Sequence, residues 1–457
     1  MICPLTGLYI FDTFSSMPQK VCIFTSFSDL QKAYSLNIIV QQQIKMLLLN
    51  DYEPIVIVHD TFEPEEIYAH PKVKIEKIPN VACHNEVKKD ETFDEDVNII
   101  EKRLREILKD VDIVLTHDII YQPACLKHNF ASRRVAKDLK VKWLHWIHSA
   151  TSPQLLTQLR PIFQDEYISL VQTPFPNSLY IYPEPYTIPA VAKNFGIPED
   201  QVKCIPHVTD TCEFMEREVE RVIYEKDILS ADAICVYPIR LDTGKQPEYV
   251  IKTMAMLKDF DLKVRTIIID FHSTGPEKIA VRDKCKNVAI DYGLAKDELI
   301  WTSEESDQWT TEISRKEVHD FQSISNVFIL PSVSETYSLI AQEAMLCGSV
   351  AVLNKDFPPF RSIYGDNPIY KKYSSAFDVQ ADLADARTAD SWTGTQYGPD
   401  KLPEEAREEA EKAYHRGTAG QILARLKYPE QAQRTWVRKE RNLDAVFKKY
   451  YLPLFYD

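Results

Sequence analysis

Short runs of β-branched and aromatic residues recur along this chain, and a stretch of helical character follows most of them. KVCIFTSF (20–27) reads as a strand, Asn37 to Asn50 as a helix, and PIVIVHD (54–60) as a second strand. VKIEKI (73–78), a charged helix from Asp94 to Lys109, VDIVLTHD (111–118) and VKWLHWIH (141–148) extend the series. Strands that alternate with helices build βαβ units and a parallel sheet covered on both faces. After residue 230 the pattern restarts. AICVYPIR (233–240), the helix EYVIKTMAMLKDF (248–260), VRTIIIDF (264–271), ELIWTS (298–303), NVFILPS (326–332) and SVAVLN (349–354) form the second set. The expected fold class is therefore α/β, with two Rossmann-like doubly wound domains. A single core stops growing at roughly 250–300 residues, so a chain of 457 residues is long enough for both. Ligands in such sheets bind beyond the carboxyl ends of the strands, here expected in a cleft between the domains. Prolines thicken between Pro174 and Pro198, which reads as loops and short helices, and 379–430 reads as polar and helical.

Composition removes several classes of function. The formal net charge is -14, which disfavours nonspecific nucleic-acid binding through a global positive field. One stretch, Lys127 to Lys142, is locally basic and reads first as a solvated helix face. The nine cysteines contain no CxxC pair, so a disulfide framework or zinc cage is not expected and a reducing cytoplasm fits best. No apolar run approaches the ~20 residues of a membrane helix. The opening MICPLTGLYIFDTF has no basic region of the kind that begins a signal peptide. With 11 glycines and no GxGxxG or GxxxxGK[ST], a dinucleotide oxidoreductase or P-loop NTPase is disfavoured. No G-x-S-x-G elbow marks an α/β-hydrolase. The Asp-x-Asp pairs at 94/96, 110/112 and 259/261 lie in or beside charged helices and read as surface charge.

Chemistry concentrates in NVFILPSVSETYSLIAQEAMLCGSVAVLN (326–354). A buried strand ends at Pro331, a short loop carries Glu335, a helix starts near Ser338, and Gly348 stops it. Amide N–H groups of Tyr337, Ser338 and Leu339 would leave the helix N-terminus and, with the dipole behind them, suit a phosphate. Glu335 and Glu343 could each accept hydrogen bonds from hydroxyls, one from a sugar and one from a ribose. Upstream, PIRLDTGKQPEYVI (238–251) places Arg240 and Lys245 across a strand-to-helix loop, where two cations can converge on one diphosphate. A solvated pair of loop cations and an ordinary amphipathic helix are the plainer readings of these two elements.

The E-x7-E pair Glu335/Glu343, followed by AMLCG, resembles the signature of glycosyltransferase family 4, a retaining GT-B group. Arg240 and Lys245 resemble that family's R-x4-K pair at the diphosphate. CIPHVTDTCEF (204–214) resembles the interdomain stretch, and DIVLTHD and KWLHWIH resemble its two N-domain histidine strands. The Trp436-containing helix resembles the one that crosses back to the N-domain. The resemblance implies an acceptor-side domain over 1–205, a donor domain over 206–430 and a returning helix over 431–457. It implies that Arg240, Lys245, Ser338 and Leu339 bind the diphosphate, Glu335 the transferred sugar and Glu343 the ribose. Trp301 and Thr302 would lie near the nucleobase and His148 near the reacting centre, with His117 structural or acceptor-side. Retention without a metal or further cofactor is implied, with a UDP- or GDP-sugar as donor. The acceptor stays open among lipid, glycan, metabolite, protein and modified nucleobase, and modified DNA rests only on the basic stretch. Two departures stand out. SDLQKAYSLN (28–37) lacks the family's glycine turn, and TYS (336–338) replaces a triplet that commonly contains glycine. A nucleotide-sugar sensor or scaffold, and a sugar-nucleotide epimerase or phosphorylase, are the alternatives on the same fold.

Overall fold

A computed structural model describes residues 19–30, 34–79, 91–159, 164–242, 244–333, 335, 337–373 and 404–456. The opening residues 1–14, positions 31–33 of the glycine-less turn, Thr336, and the first part of 379–430 lie outside the described residues. The chain divides into two compact units, Met1–Val208 with Leu443–Asp457, and Thr209–Asn442.

The first unit holds seven strands: β1 (Val21–Phe24), β2 (Ile55–His59), β3 (Lys74–Ile78), β4 (Ile113–His117), β5 (Lys142–Trp146), β6 (Ser178–Tyr182) and β7 (Val202–Cys204). They pair in parallel in the order β3-β2-β1-β4-β5-β6-β7. Every residue of β1 and β4 is buried, as a strand covered on both faces requires. Helices α1 (Ser35–Leu49), α2 (Phe93–Leu108) and α3 (Leu126–Asp138) supply covering layers. Val97, Ile100 and Leu104 of α2 join Ala131 and Val135 of α3 in one core.

Two features differ from the reading of the sequence. Inside the proline-dense segment, SLYIY forms β6, hydrogen-bonded to β5. Asn177 turns the chain into it at φ 47, a conformation asparagine tolerates, and its Nδ2 donates to Val141 O (2.6 Å). The prolines therefore bracket a strand rather than dissolve it. The basic stretch is α3 plus the start of β5, and part of its charge is engaged, while Lys137 and Lys140 stay exposed. Lys127 pairs with Asp96, and Arg134 with Glu101 (3.3 Å). The Arg133 guanidinium lies 5.1 Å from the Phe175 ring centroid and donates to Asn129 Oδ1 (2.9 Å).

Residues 443–456 complete the first unit. They run through Leu443–Val446, a π-turn at Phe447–Tyr451 and Leu452–Tyr456. The Tyr52 ring meets Phe447 (5.7 Å) and Phe455 (5.8 Å) edge-on, and Lys142 Nζ donates to Leu454 O (2.7 Å). Pro429–Glu440, with Trp436, belongs to the second unit, so the segment expected to return over 431–457 is divided between the two.

The second unit repeats the first in topology. Its strands are β8 (Ala233–Pro238), β9 (Val264–Ile269), β10 (Leu299–Trp301), β11 (Val327–Leu330), β12 (Val350–Asn354) and β13 (Ile369–Lys371). They are parallel in the order β10-β9-β8-β11-β12-β13. Helices α4 (Pro247–Met256), α5 (Arg315–Ile324) and α6 (Leu339–Leu346) follow β8, β10 and β11. Separate apolar clusters fill the two faces of this sheet. In each unit the strand order reverses beside its first strand. Loops leaving the carboxyl ends diverge there and open a crevice, next to β1 and β4 in one unit and β8 and β11 in the other.

Candidate functional site

At the crevice of the second unit, the loop after β8 meets the loop after β11. Val333 N–H donates to Gly244 O (3.1 Å), and a Cβ on Gly244 would stand 2.8 Å from Val333 Cγ2. Gly244 also has φ 90, so both the approach and the turn require glycine. Tyr237, at the end of β8, donates its hydroxyl to Lys245 O (2.7 Å) and fixes the backbone of that residue. The result is an ion pair: Lys245 Nζ lies 2.6 Å from Glu335 Oε1 and 3.4 Å from Ser332 Oγ. Neither side chain is fully exposed, at 28% and 16%. Residues 90 apart in sequence are brought together because β8 and β11 are neighbours in the sheet.

The same loop runs into α6. Ser338, its N-cap, adopts φ 63 and ψ 74, in the left-handed region that favours glycine. Tyr364 holds it there, its hydroxyl within hydrogen-bond distance of Ser338 O (3.0 Å) and Tyr337 O (3.3 Å). The Ser338 side chain does not cap the helix, and its buried Oγ has no hydrogen-bond partner among the described residues. First-turn amides thus lack the N-cap acceptor that usually satisfies them, while the dipole favours an anion at this end. Leu339 is 62% exposed, so the first turn is open to solvent.

Glu343 stands one turn into α6 and receives Arg315 Nη2 at 2.6 Å. Arg315 is the first residue of α5, placed there by a reciprocal capping box between Ser314 and Glu317. Arg240 is exposed at the carboxyl end of β8, and its guanidinium makes no ion pair or hydrogen bond among the described residues. Thr302 is fully buried after β10. Its hydroxyl lies 3.4 Å from Asp270 Oδ1, and Ser303 donates its N–H (3.0 Å) and hydroxyl (2.7 Å) to the same carboxylate. Thr302 therefore organises the end of β9 rather than presenting its hydroxyl outward. Trp301 is buried too.

His148 belongs to the first unit, just past β5. Its Nε2 lies 3.0 Å from His117 Nδ1, and its backbone N–H donates to Asp118 Oδ1 (3.2 Å). His117 Nε2 lies 2.8 Å from Gln43 Oε1, and Gln43 Nε2 donates to Tyr451 Oη (2.9 Å). The His148 ring is parallel to His207, with centroids 6.0 Å apart and planes within 1°, and Trp146 stacks on both. Burial, then the neighbouring His207, lowers His148 to about 4. Burial first, then His148 and His207, holds His117 well below the ordinary imidazole range. Burial pushes the Asp118 carboxyl up to about 6, against hydrogen bonds from His148 N–H and Gln122 that pull it down.

Lys245 and Glu335 thus come into contact, Ser338 and Leu339 adjoin them, and Glu343 and Arg240 flank the same crevice-forming loops. His148 stands in the other unit. Three participants were not anticipated. Arg315 was announced by the S-x-x-E capping signal at 314–317, which fixes where α5 begins. Gln43 and Tyr451 carry no local signal, since their contacts join residues 408 apart in sequence. Among the described residues no three His, Cys, Asp or Glu side chains converge to hold a metal ion, and no helix is long and apolar enough to cross a membrane.

Residues 221–386 match the family model described as glycosyl transferases group 1, a segment of about a third of the chain within the second unit. No curated protein sequence matches the chain. Among solved structures, the chain is similar to a glycosyltransferase from Rickettsia africae, at 14% identity over 96% of this chain and 98% of that one, with a TM-score of 0.36. A sucrose-phosphate synthase from Thermosynechococcus elongatus gives 16% identity over 96% and 100% of the two chains, with a TM-score of 0.35. HepE of Anabaena, solved in complex with UDP, gives 12% identity over 95% and 99%, with a TM-score of 0.33.

Proposed function

We propose that this protein is a retaining glycosyltransferase of the GT-B class, which moves a sugar from a nucleotide-diphosphate donor to a hydroxyl acceptor without a metal ion. The observation that carries the reading is the Lys245–Glu335 pair beside the uncapped head of α6. It lies at the strand-order reversal of the sheet, inside the segment that matches the group 1 glycosyltransferase model. In this reading Lys245 and Arg240 take the diphosphate, with the amides of Ser338 and Leu339 as further donors. Two cations and a helix dipole together stabilise the departing diphosphate, the charge a divalent ion offsets in other transferases. Lys245 must release Glu335 as the phosphate arrives, which frees the carboxylate to accept hydrogen bonds from the sugar hydroxyls. Glu343, held by Arg315 through one oxygen, keeps the other for a ribose hydroxyl. His148 is assigned to the reacting sugar. Departure and attack on one face, assisted by the leaving phosphate, need no second carboxylate nucleophile.

A panel of UDP-, GDP- and ADP-sugars tests this, read as thermal stabilisation and diphosphate release in EDTA. Wild type should be stabilised by one donor class and release its diphosphate, and Lys245→Ala and Glu335→Ala should lose release. Retained release in both variants, or no stabilisation by any donor, would overturn the assignment. Stabilisation without release under all acceptors tried would favour a sensor on the same fold.

A further inference from the structure

His148 ends a chain of side-chain hydrogen bonds that starts far from it in sequence. Tyr451, in the π-turn of residues 443–456, is buried and accepts from Gln43 Nε2. An amide that donates through nitrogen on one side offers its oxygen on the other, so Gln43 Oε1 faces His117 Nε2 at 2.8 Å. An oxygen can only accept, which places the His117 proton on Nε2. The neutral ring then has a bare lone pair on Nδ1, and His148 Nε2 at 3.0 Å must be the donor to it. His148 is left with an unprotonated Nδ1, which has no hydrogen-bond partner among the described residues.

We infer that Gln43, His117 and Tyr451 are positioning residues that lock His148 as its Nε2–H tautomer, so that it presents an acceptor nitrogen to a substrate hydroxyl. The inference rests on the reading above only in assigning that hydroxyl to the reacting sugar or its acceptor. The tautomer itself follows from the orientation of the Gln43 amide, whose Nε2 donates to Tyr451 Oη and whose Oε1 faces His117 Nε2. Burial keeps both imidazoles neutral near pH 7, as the tautomer argument requires. An acceptor nitrogen on a neutral ring suits a hydroxyl and repels the oxygens of a phosphate or carboxylate. His148 therefore reads a hydroxyl and not an anionic group of its substrate.

The test is a long-range proton–nitrogen correlation spectrum of the full chain with nitrogen-labelled histidine near pH 7.5, His148 being assigned by its loss in His148→Gln. The expected result is a protonated Nε2 and a lone-pair Nδ1 in wild type. In His117→Phe, which keeps a stacked ring but no acceptor, and in Gln43→Met, the His148 signals should move to a tautomer mixture. Turnover should fall about tenfold in His117→Phe with the donor KM within about twofold of wild type. A protonated Nδ1 in wild type, or His148 signals unmoved by both His117→Phe and Gln43→Met, would overturn the inference. If the tautomer is as expected but His148→Gln turns over normally, the assignment of His148 to the reacting sugar fails while the hydrogen-bond chain stands.

Discussion

Lys245 Nζ and Glu335 Oε1 stand 2.6 Å apart, each serving as the counter-ion of the other. Substituting either one therefore changes the charge of its partner's surroundings as well as its own position. Glu335→Gln should free Lys245 for a phosphate and tighten binding of the free nucleoside diphosphate several-fold, while transfer falls about 10²- to 10³-fold. Lys245→Ala should weaken the same diphosphate by about 10- to 100-fold, the worth of one or two charge-assisted hydrogen bonds. Calorimetric titration with the diphosphate, beside initial rates, separates the two. Weaker product binding in Glu335→Gln would contradict the pairing.

Ser338 occupies a left-handed position without the glycine that relieves it. Ser338→Gly removes both the backbone strain and a buried hydroxyl that lacks a partner among the described residues. The gain should be about 1 kcal/mol, seen as a rise of about 2–4 °C in the melting temperature of the second unit. Ser338→Val adds a β-branched side chain at φ 63 and should lower it by at least as much. An unchanged melting temperature in both would mean that the loop relaxes at no cost.

Asp118 gives a pH dependence of defined sign. Its folded pKa, about 6, lies above the ordinary value of 3.8. The stability it contributes is full below about pH 4 and is lost as the pH rises through about 6. His148 runs the other way: lowered from 6.5 to about 4, it stabilises fully above pH 6.5 and loses that contribution on acidification. Asp118→Asn removes only the first effect. Relative to wild type it should gain about 1–3 kcal/mol between pH 4 and pH 7, measured by denaturant unfolding at each pH. A difference that stays flat across this range would contradict the buried carboxyl.

Phe447 is 1% exposed and packs edge-on against Tyr52 and Phe455. Phe447→Ala should cost the first unit about 3–5 kcal/mol. Hydrogen exchange should quicken in β1, β2 and α1 and stay unchanged in β8 to β12. Equal quickening in both sheets would show that residues 443–456 do not belong to the first unit alone.

The sheets were legible because buried parallel strands are written as continuous apolar runs. VRTIIIDF and NVFILPS admit little else once helices separate them. The edge strand Ile369–Lys371 gave no such signal, being three residues long with only Ile369 buried. β6 was hidden by the prolines around it. Of the candidate site, the Glu335 loop and the Arg240/Lys245 loop could be found because each joins a strand to a helix within a few residues. Their contact could not, since it depends on strand order rather than spacing. Thr302 illustrates the opposite outcome. Its place after β10 was readable, but its engagement with the buried Asp270 depends on a neighbouring strand and turns the hydroxyl inward. The chain of Tyr451, Gln43, His117 and His148 is assembled from four separate segments; the two histidine strands could be singled out, but the segments of Gln43 and Tyr451 read alone as ordinary core.

The fold places residues 443–456 in the first unit, although the whole of residues 209–442 lies between them and Val208. On the ribosome, the first unit therefore waits for the second to be made. At about 5–20 residues per second that interval lasts roughly 10–50 s, during which Tyr52 lacks the Phe447 and Phe455 rings that later pack against it. The second unit has no such wait and can close its core as it emerges. A nascent chain halted between Asn442 and Tyr451 would carry a finished Lys245–Glu335 loop pair and a histidine whose proton has not yet been assigned a nitrogen.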